Sequence, residues 1–458
     1  MLAEKQQQEC SASSLQVATP GHKEMLNYGL GFFGVILVWT LVGTFLPYYY
    51  TDVAGVSAGV VGTLMLVARL FDGVTDLGMG TLVDRTRSKH GKARPWILWM
   101  GIPLGISTIL LFSVPDFGNT GKIIYAYVTY ILLILVYTAV SIPYKTLLGL
   151  MTQEPYGRSV LNIYTGVFTM LSTLAIMIFA QPVASAIGGK LGWTIVAVAS
   201  GVIIMITSYI AFRSTKERVS ASVVKTNDII PFKVGLKALF TNKYWLIITL
   251  YCVIAYTLNA LLAGAGLYYT SYILGNASYF SLVGLLLFLP TIICFFFMAK
   301  LVAKFGKRNI ALTVSVIGIL GPIVKLIDPS NVAVFLAGTA IQGFGLIPII
   351  MFLYAMINDT AEYGEWKFGI RTEGLVNSAA SFGMKVGAGL GGALIGWLLA
   401  FGGYVGGLDE QTASATTMIL ALNIYIPFVL AVLQTVLMWM YKLDEQYPQI
   451  LADLNKKR

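Results

Sequence analysis

Apolar residues in this chain neither alternate nor recur on a single helical face. They run in long blocks separated by short polar breaks. Twelve segments hold about 20 or more mainly apolar residues, the length a helix needs to cross a bilayer core. They are 26–50, 58–83, 95–114, 123–150, 160–184, 193–212, 244–274, 280–303, 309–327, 332–357, 372–402 and 415–441. The pattern predicts an all-α membrane protein of twelve transmembrane helices. Several segments exceed 25 residues, which allows tilt but specifies no angle. An even number of spans puts both termini on one side.

Composition narrows the function class. Of 458 residues, 57% are hydrophobic and 11% charged, against about 25% charged in soluble proteins. A soluble multidomain enzyme is therefore excluded. The 47 Gly and 16 Met suit membrane helices. The formal charge of +10 suggests a nucleic-acid partner only if the basic residues form a patch. They do not. One alternating set of loops holds 18 Lys and Arg, and the other only Lys122 and Lys190. Positive loops stay cytoplasmic, so both termini are expected inside and the charge is a topology signal. The expected setting is the cell membrane, with lipid as partner and no nucleic acid. Cys10, Cys252 and Cys294 form no disulfide framework, and His22 and His90 match no metal-ligand spacing. Residues 1–24 are polar and lead into apolar sequence with no cleavage pattern, so they read as a tail and not as a signal peptide.

The loop 213–243 divides the chain into six spans plus six. The expected organisation is a tail (1–25), a first bundle (26–212), a central cytoplasmic loop (213–243), a second bundle (244–441) and a second tail (442–458). The halves echo each other. LVDRTRSKHGKARPW follows the second span and LVAKFGKRN the eighth, two basic glycine-containing turns at matching positions. Six-span repeats about an axis along the membrane normal are the major facilitator arrangement, with substrate held between the halves near the midplane.

Ionisable groups inside spans are costly, which makes each a functional candidate. VARLFDGVTDLGMG in the second span carries Asp72 and Asp76, four residues apart and therefore on one helical face. Their repulsion has three remedies: a proton on one, a cation between them, or a basic partner. The basic candidate is Lys385 in SFGMKVGAG, with Arg69 as a rival one turn before Asp72. Counted from the loops, Asp72 and Lys385 lie within about 3 Å of the same depth. Thr75 and Thr138 add neutral oxygens near that depth, suited to a hard monovalent cation. Lys145 lies near the inner end of the fourth span, where a lysine can also snorkel to water. Trp39, Tyr48, Tyr49, Tyr50, Tyr137, Tyr144 and Tyr164 can offer faces for a sugar ring, and Tyr137 and Tyr164 are the favoured two.

Three stretches carry a family resemblance. They are YGLGFFG through LPYYYTDVAGVSAGVVGTLMLVARLFDGVTDLGMGTLVDRTRSKHGKARP (28–95), VYTAVSIPYKTLLGLMTQEP (136–155) and NDTAEYGEWKFGIRTEGLVNS (358–378). With the Lys385 helix, the chain resembles the glycoside–pentoside–hexuronide:cation symporter family of the major facilitator superfamily. The resemblance implies that Asp72 and Asp76 hold the coupling cation, as the metal ligands if that ion is Na⁺, with Thr138 as a further oxygen. Thr75 stands where melibiose-type relatives have asparagine. Lys385 falls on the family lysine near cation and sugar, and the substrate site is expected to include Tyr137, Ser141, Lys145, Tyr164 and Ser381. Asp84, Arg85, Arg87, Arg94, Glu362, Glu365, Arg371 and Glu373 occupy loop motifs that look like gating contacts between bundles. There are departures. Val35 and Ile36 replace an acidic position of many relatives, Ser141 an aspartate, Gly166 an arginine and Leu77 a proline. These losses argue against a galactoside and leave pentosides and uronides open, a uronide calling for a cation such as Lys385 or Lys145.

The expected function is cation-coupled sugar symport by alternating access, with Na⁺, Li⁺ or H⁺ as the ion, no other cofactor, and a functional monomer. The rivals are an uncoupled facilitator or exchanger and a transporter-fold sugar sensor. No nucleophile–base, metal or phosphate-loop constellation supports an enzyme.

Overall fold

The computed structural model describes residues 20–152, 154–218, 232–369, 373–408 and 410–457. Among these, twelve helices are long and apolar enough to cross a membrane. Spans 1 to 6 are His22–Val53, Ala58–Arg85, Arg94–Leu111, Asn119–Met151, Tyr156–Ile187 and Gly189–Ser214. Spans 7 to 12 are Lys243–Tyr272, Ala277–Phe305, Lys307–Ile327, Val332–Phe368, Gly374–Phe401 and Ala413–Leu454. The described residues contain no strand. Helices dominate because a bilayer offers no hydrogen-bond partner to an open backbone. Below, the end at which span 1 begins is called the termini end, and the other the far end.

The two halves are built alike where the sequence echoes. In the first half, Glu217, just past span 6, accepts hydrogen bonds from the backbone N–H of Lys92, Ala93 and Arg94 at the start of span 3 (2.8, 2.9 and 3.0 Å). Arg94 reaches the Phe212 carbonyl at 2.7 Å. In the second half, Asp444, at the start of the C-terminal helix Leu443–Lys457, accepts from the Arg308 N–H at 2.9 Å, and Arg308 reaches the Trp439 carbonyl at 2.7 Å. Each acid satisfies orphan donors at a helix N-terminus, where the helix dipole also favours negative charge. The basic turn is thus a fastener within each half. Its acidic partner lies over a hundred residues away.

Apolar packing joins the halves unequally. One core fills the first half and continues through Leu261, Tyr268, Phe280, Ile395 and Leu422 at the far end of the second. A second core fills the rest of the second half. Hydrogen bonds between halves follow the same trend. Near the far end, Tyr272 and Tyr404 both donate to Asp52, the latter at 2.6 Å, and the Thr51 and Tyr268 hydroxyls lie 2.9 Å apart. Trp397 of span 11 donates to Thr63 of span 2 at 3.1 Å.

Three elements exceed the sequence expectation. Span 10 runs on to Phe368, past the polar run NDTAEYGEW. The stretch expected as a central loop contains a helix, Phe232–Thr241. The expected second tail is a helix, Leu443–Lys457. Its Leu443, Ile450 and Leu454 are buried, and Tyr447 bonds Glu362 while Trp366 donates to Asp453 at 3.1 Å. Its apolar stripe is narrow and its other face polar, so in sequence it reads as a tail.

Candidate functional site

The site is set by how closely spans 2 and 11 approach. They run antiparallel and touch through glycines. A Cβ on Gly62 would sit 2.8 Å from the Ala393 carbonyl, and one on Gly389 3.0 Å from Arg69 Cβ. A Cβ on Gly396 would press into the Gly62 backbone. Small residues of this kind let membrane helices meet at backbone distance. Moving along both helices from the Gly62–Gly396 contact, Asp72 lies ten residues on and Lys385 eleven. At 1.5 Å per residue their depths agree within about 1.5 Å.

The side chains close the gap. Lys385 Nζ lies 3.0 Å from Asp72 Oδ2 and from the Asp72 carbonyl, and it also pairs with Asp76. Of the three remedies for carboxylate repulsion, this structure displays the basic partner. Thr138 of span 4 donates to Asp72 Oδ1 at 3.1 Å. Thr75 donates to the Asp72 carbonyl at 3.1 Å, and its hydroxyl lies 3.4 Å from that of Thr138. Asp72 is 2% exposed, while Asp76, one turn closer to the termini end, is half-buried. Four of the expected cation-site residues therefore meet in one place. The acid pair belongs to the first half and the lysine to the second, so the ion pair bridges the two.

A second group lies beside it. Trp39 of span 1 stacks on Tyr137 of span 4, centroids 4.5 Å apart and planes 21° from parallel. The Arg69 guanidinium lies over the other ring of the pair, 3.6 Å from the Trp39 centroid. Arg69 is 6% exposed, and its Nη1 has no hydrogen-bond partner. The rivalry for Asp72 is thus decided for Lys385, and Arg69 is held by an aromatic face. Trp39 and Tyr137 are about a hundred residues apart in sequence, so only the fold reveals the stack.

Ser141 is buried one turn along span 4 from Thr138, and Lys145 follows one turn further on that face. Lys145 is exposed although it lies in a span, and it faces the charges of Asp76, Lys385 and Asp72. Ser381, one turn before Lys385, is exposed too, as is its neighbour Phe382. These residues all lie on the termini side of the ion pair. The cluster is thus open toward the termini end and sealed toward the far end by the Asp52–tyrosine group.

Other expected site residues lie elsewhere. Tyr164 is not brought to the acid pair: its hydroxyl lies 3.4 Å from His22 Nδ1 at the first turn of span 1. Its position in span 5 faces span 1 close to the helix ends, a placement that helix periodicity alone does not disclose. The Arg94 guanidinium donates to the Phe212 and His90 carbonyls, both in its own half. Asp84, Arg85 and Arg87 are exposed at the end of span 2. Glu362 accepts from Tyr447 of the last helix, and Glu365 is half-buried one turn on. Arg371 and the Glu373 side chain lie outside the described residues. Asp52 with Tyr272 and Tyr404 was not anticipated. Asp52 ends a YYYTD run, and that acidic residue beside aromatics was the available signal.

Comparison with known proteins agrees with this architecture. The family described as MFS/sugar transport protein matches residues 27–445. An isoprimeverose transporter of Lactiplantibacillus pentosus is 34% identical, over 98% of this chain and 95% of that one. A glucuronide carrier protein homolog of Escherichia coli (strain K12) is 30% identical, over 95% of this chain and 96% of that one. Among solved structures, a bacterial homologue of the human drug peptide transporters PepT1 and PepT2 superposes with a TM-score of 0.66. It covers 94% of this chain and 99% of its own at 12% identity, a likeness of fold alone.

Proposed function

The chain belongs to the MFS/sugar transport protein family, in its glycoside–pentoside–hexuronide group, and from that premise we propose that it couples one monovalent cation to the movement of one sugar. It is a multi-pass plasma-membrane sugar transporter and not an enzyme. The observation that carries the coupling is the Lys385 bridge between Asp72 and Asp76 across the halves. In the absence of the cation, the lysine neutralises two buried carboxylates that would otherwise repel. A cation entering between them takes over that task, with Thr138 and Thr75 as neutral oxygens. Lys385 is then released toward the sugar. Linkage requires that sugar raise cation affinity by the same factor as cation raises sugar affinity. With the termini end read as cytoplasmic from its basic loops, the arrangement is an inward-facing one. The Asp52 latch must open, and the termini end close, for sugar to enter from outside.

Charge at the site favours an acidic sugar. Lys385 pairs with Asp72 and Asp76, Lys145 faces the same two carboxylates, and Arg69 stands beside them over Trp39, so among the described residues of this cluster three cations accompany two acids. One positive charge is therefore in excess before any cation arrives. A glycoside bearing a carboxylate balances it, with Lys145 as the group that the exposed cluster presents. Uptake into proteoliposomes tests both parts. Matched glucuronides, xylosides and galactosides are supplied at several pH values, with and without Na⁺. Accumulation driven by an imposed Na⁺ or proton gradient is expected, with the glucuronide ahead. Counterflow indifferent to every cation would replace the symport reading by facilitated exchange. A xyloside taken up in preference would replace only the acidic-sugar reading.

A further inference from the structure

We propose that span 10 bends about a hydrated hinge, a buried site for one water molecule held by Ser315, Gln342 and Gln434 inside the second half. This goes beyond the ion-pair site and does not depend on which sugar or cation is carried.

Span 10 is not one regular helix. An α-helix over Val332–Gln342 gives way to a 3₁₀ turn at Gly343–Leu346 and a π-turn at Pro348–Phe352, then resumes over Leu353–Phe368. Such interruptions within a helix mark hinges. Pro348 lacks an N–H and cannot complete the regular ladder. At membrane depth, an irregular backbone persists only where protein or water satisfies it.

Both kinds of partner are provided for. Gln434 of span 12 donates to the Gly345 carbonyl at 3.3 Å and to Tyr251 Oη at 2.7 Å. Those bonds use its amide nitrogen, and Oε1 is left buried without a partner. Gln342 Oε1 accepts from Lys325 at 2.7 Å, and its Nε2 is likewise buried and unpaired. Ser315 Oγ of span 9 is the third orphan. Each residue is at most 3% exposed. All three line one cavity of about 10 Å³ beside Gly318 and Gly345, close to the size one water requires. The partners also fit by type. Their existing bonds fix the amide orientations, leaving one donor (Gln342), one acceptor (Gln434) and one hydroxyl that serves as either. One water making three hydrogen bonds satisfies all of them, the usual number for a buried water. Without it, each orphan bears its full desolvation cost.

The water makes the hinge workable. It can exchange one partner for another as the helix bends, whereas a direct bond between side chains must break. The upper part of span 10 is anchored through Gln342 to Lys325, whose ammonium also lies 4.6 Å from the Phe335 ring centroid. The lower part, Leu353–Phe368, carries the docked C-terminal helix. Bending at 343–352 therefore swings that helix with it.

Two readouts test this on the full-length protein. A structure at a resolution that shows waters should contain one within hydrogen-bond distance of all three side chains, and an empty cavity overturns the proposal. Hydrogen exchange in detergent should show amides 343–352 exchanging at least tenfold faster than those of 311–320 in span 9. Equal protection would remove the hinge. Ser315→Ala removes one partner of the water and leaves the bonds of Gln342 to Lys325 and of Gln434 to Tyr251 and Gly345 intact. It should fold, and it should alter exchange at 343–352 while leaving 311–314 unchanged. An unaltered profile also counts against the proposal.

Discussion

Replacing Asp72 by Asn separates the charge of the site from its shape. The amide oxygen can still accept from Thr138, and Lys385 keeps Asp76, so the fold is expected to survive. A bound cation loses one of its two formal countercharges. At 4 Å and an effective dielectric near 20, that attraction amounts to about 4 kcal/mol. Lys385, the cation's competitor, is also weakened by losing its 3.0 Å contact with Asp72, an offset of about 2 kcal/mol for a charge-assisted bond. The net loss lies between about 2 and 4 kcal/mol, or roughly 30- to 1000-fold in cation affinity. The assay is sugar accumulation in proteoliposomes under an imposed cation gradient, with counterflow measured in parallel. Accumulation should vanish while counterflow continues. An Asp72→Asn protein that still concentrates sugar with unchanged cation dependence refutes the assignment of this pair to coupling.

Other perturbations probe the neighbours. Thr138→Ala should weaken cation stimulation about 10- to 100-fold, the value of a hydroxyl bonded to a charged group, and Thr138→Ser should restore it. Failure of serine to rescue would mean that the threonine methyl, not its oxygen, is what matters. Lys145→Met should raise the KM for a glucuronide about 10- to 100-fold and leave a matched neutral glycoside within about twofold. Equal losses on both substrates would strip Lys145 of its role in selecting charge. Gly396→Ala forces a methyl into the Gly62 backbone, so thermal unfolding in detergent should report a loss of about 1–3 kcal/mol from overpacking. An unchanged melting temperature would contradict the close approach of spans 2 and 11.

Much of the site was legible because the bilayer makes charge conspicuous. Asp72, Asp76 and Lys385 stood out as ionisable groups in apolar sequence, and counting residues from the loops put two of them at one depth. The Trp39–Tyr137–Arg69 stack did not stand out, because aromatics are common in spans and stacking depends on how helices are rotated about their axes. The position of Tyr164 beside His22 was hidden for the same reason. Gln342, Gln434 and Ser315 escaped notice because neutral polar residues in a span normally find a partner. Only atomic positions show that each has an atom left over.

The sequence by itself determined the all-helical class and the twelve spans, and it singled out the two carboxylates of span 2. Those features follow from a local demand, since every segment must individually satisfy the bilayer. Tertiary structure alone decided that Lys385, not Arg69, neutralises the pair, that Glu217 and Asp444 fasten matching turns, and that span 10 is broken beside a polar cavity. These are contacts between residues far apart in the chain. They depend on helix rotation and on the glycine-set spacing of spans 2 and 11, and neither quantity is written in any one segment.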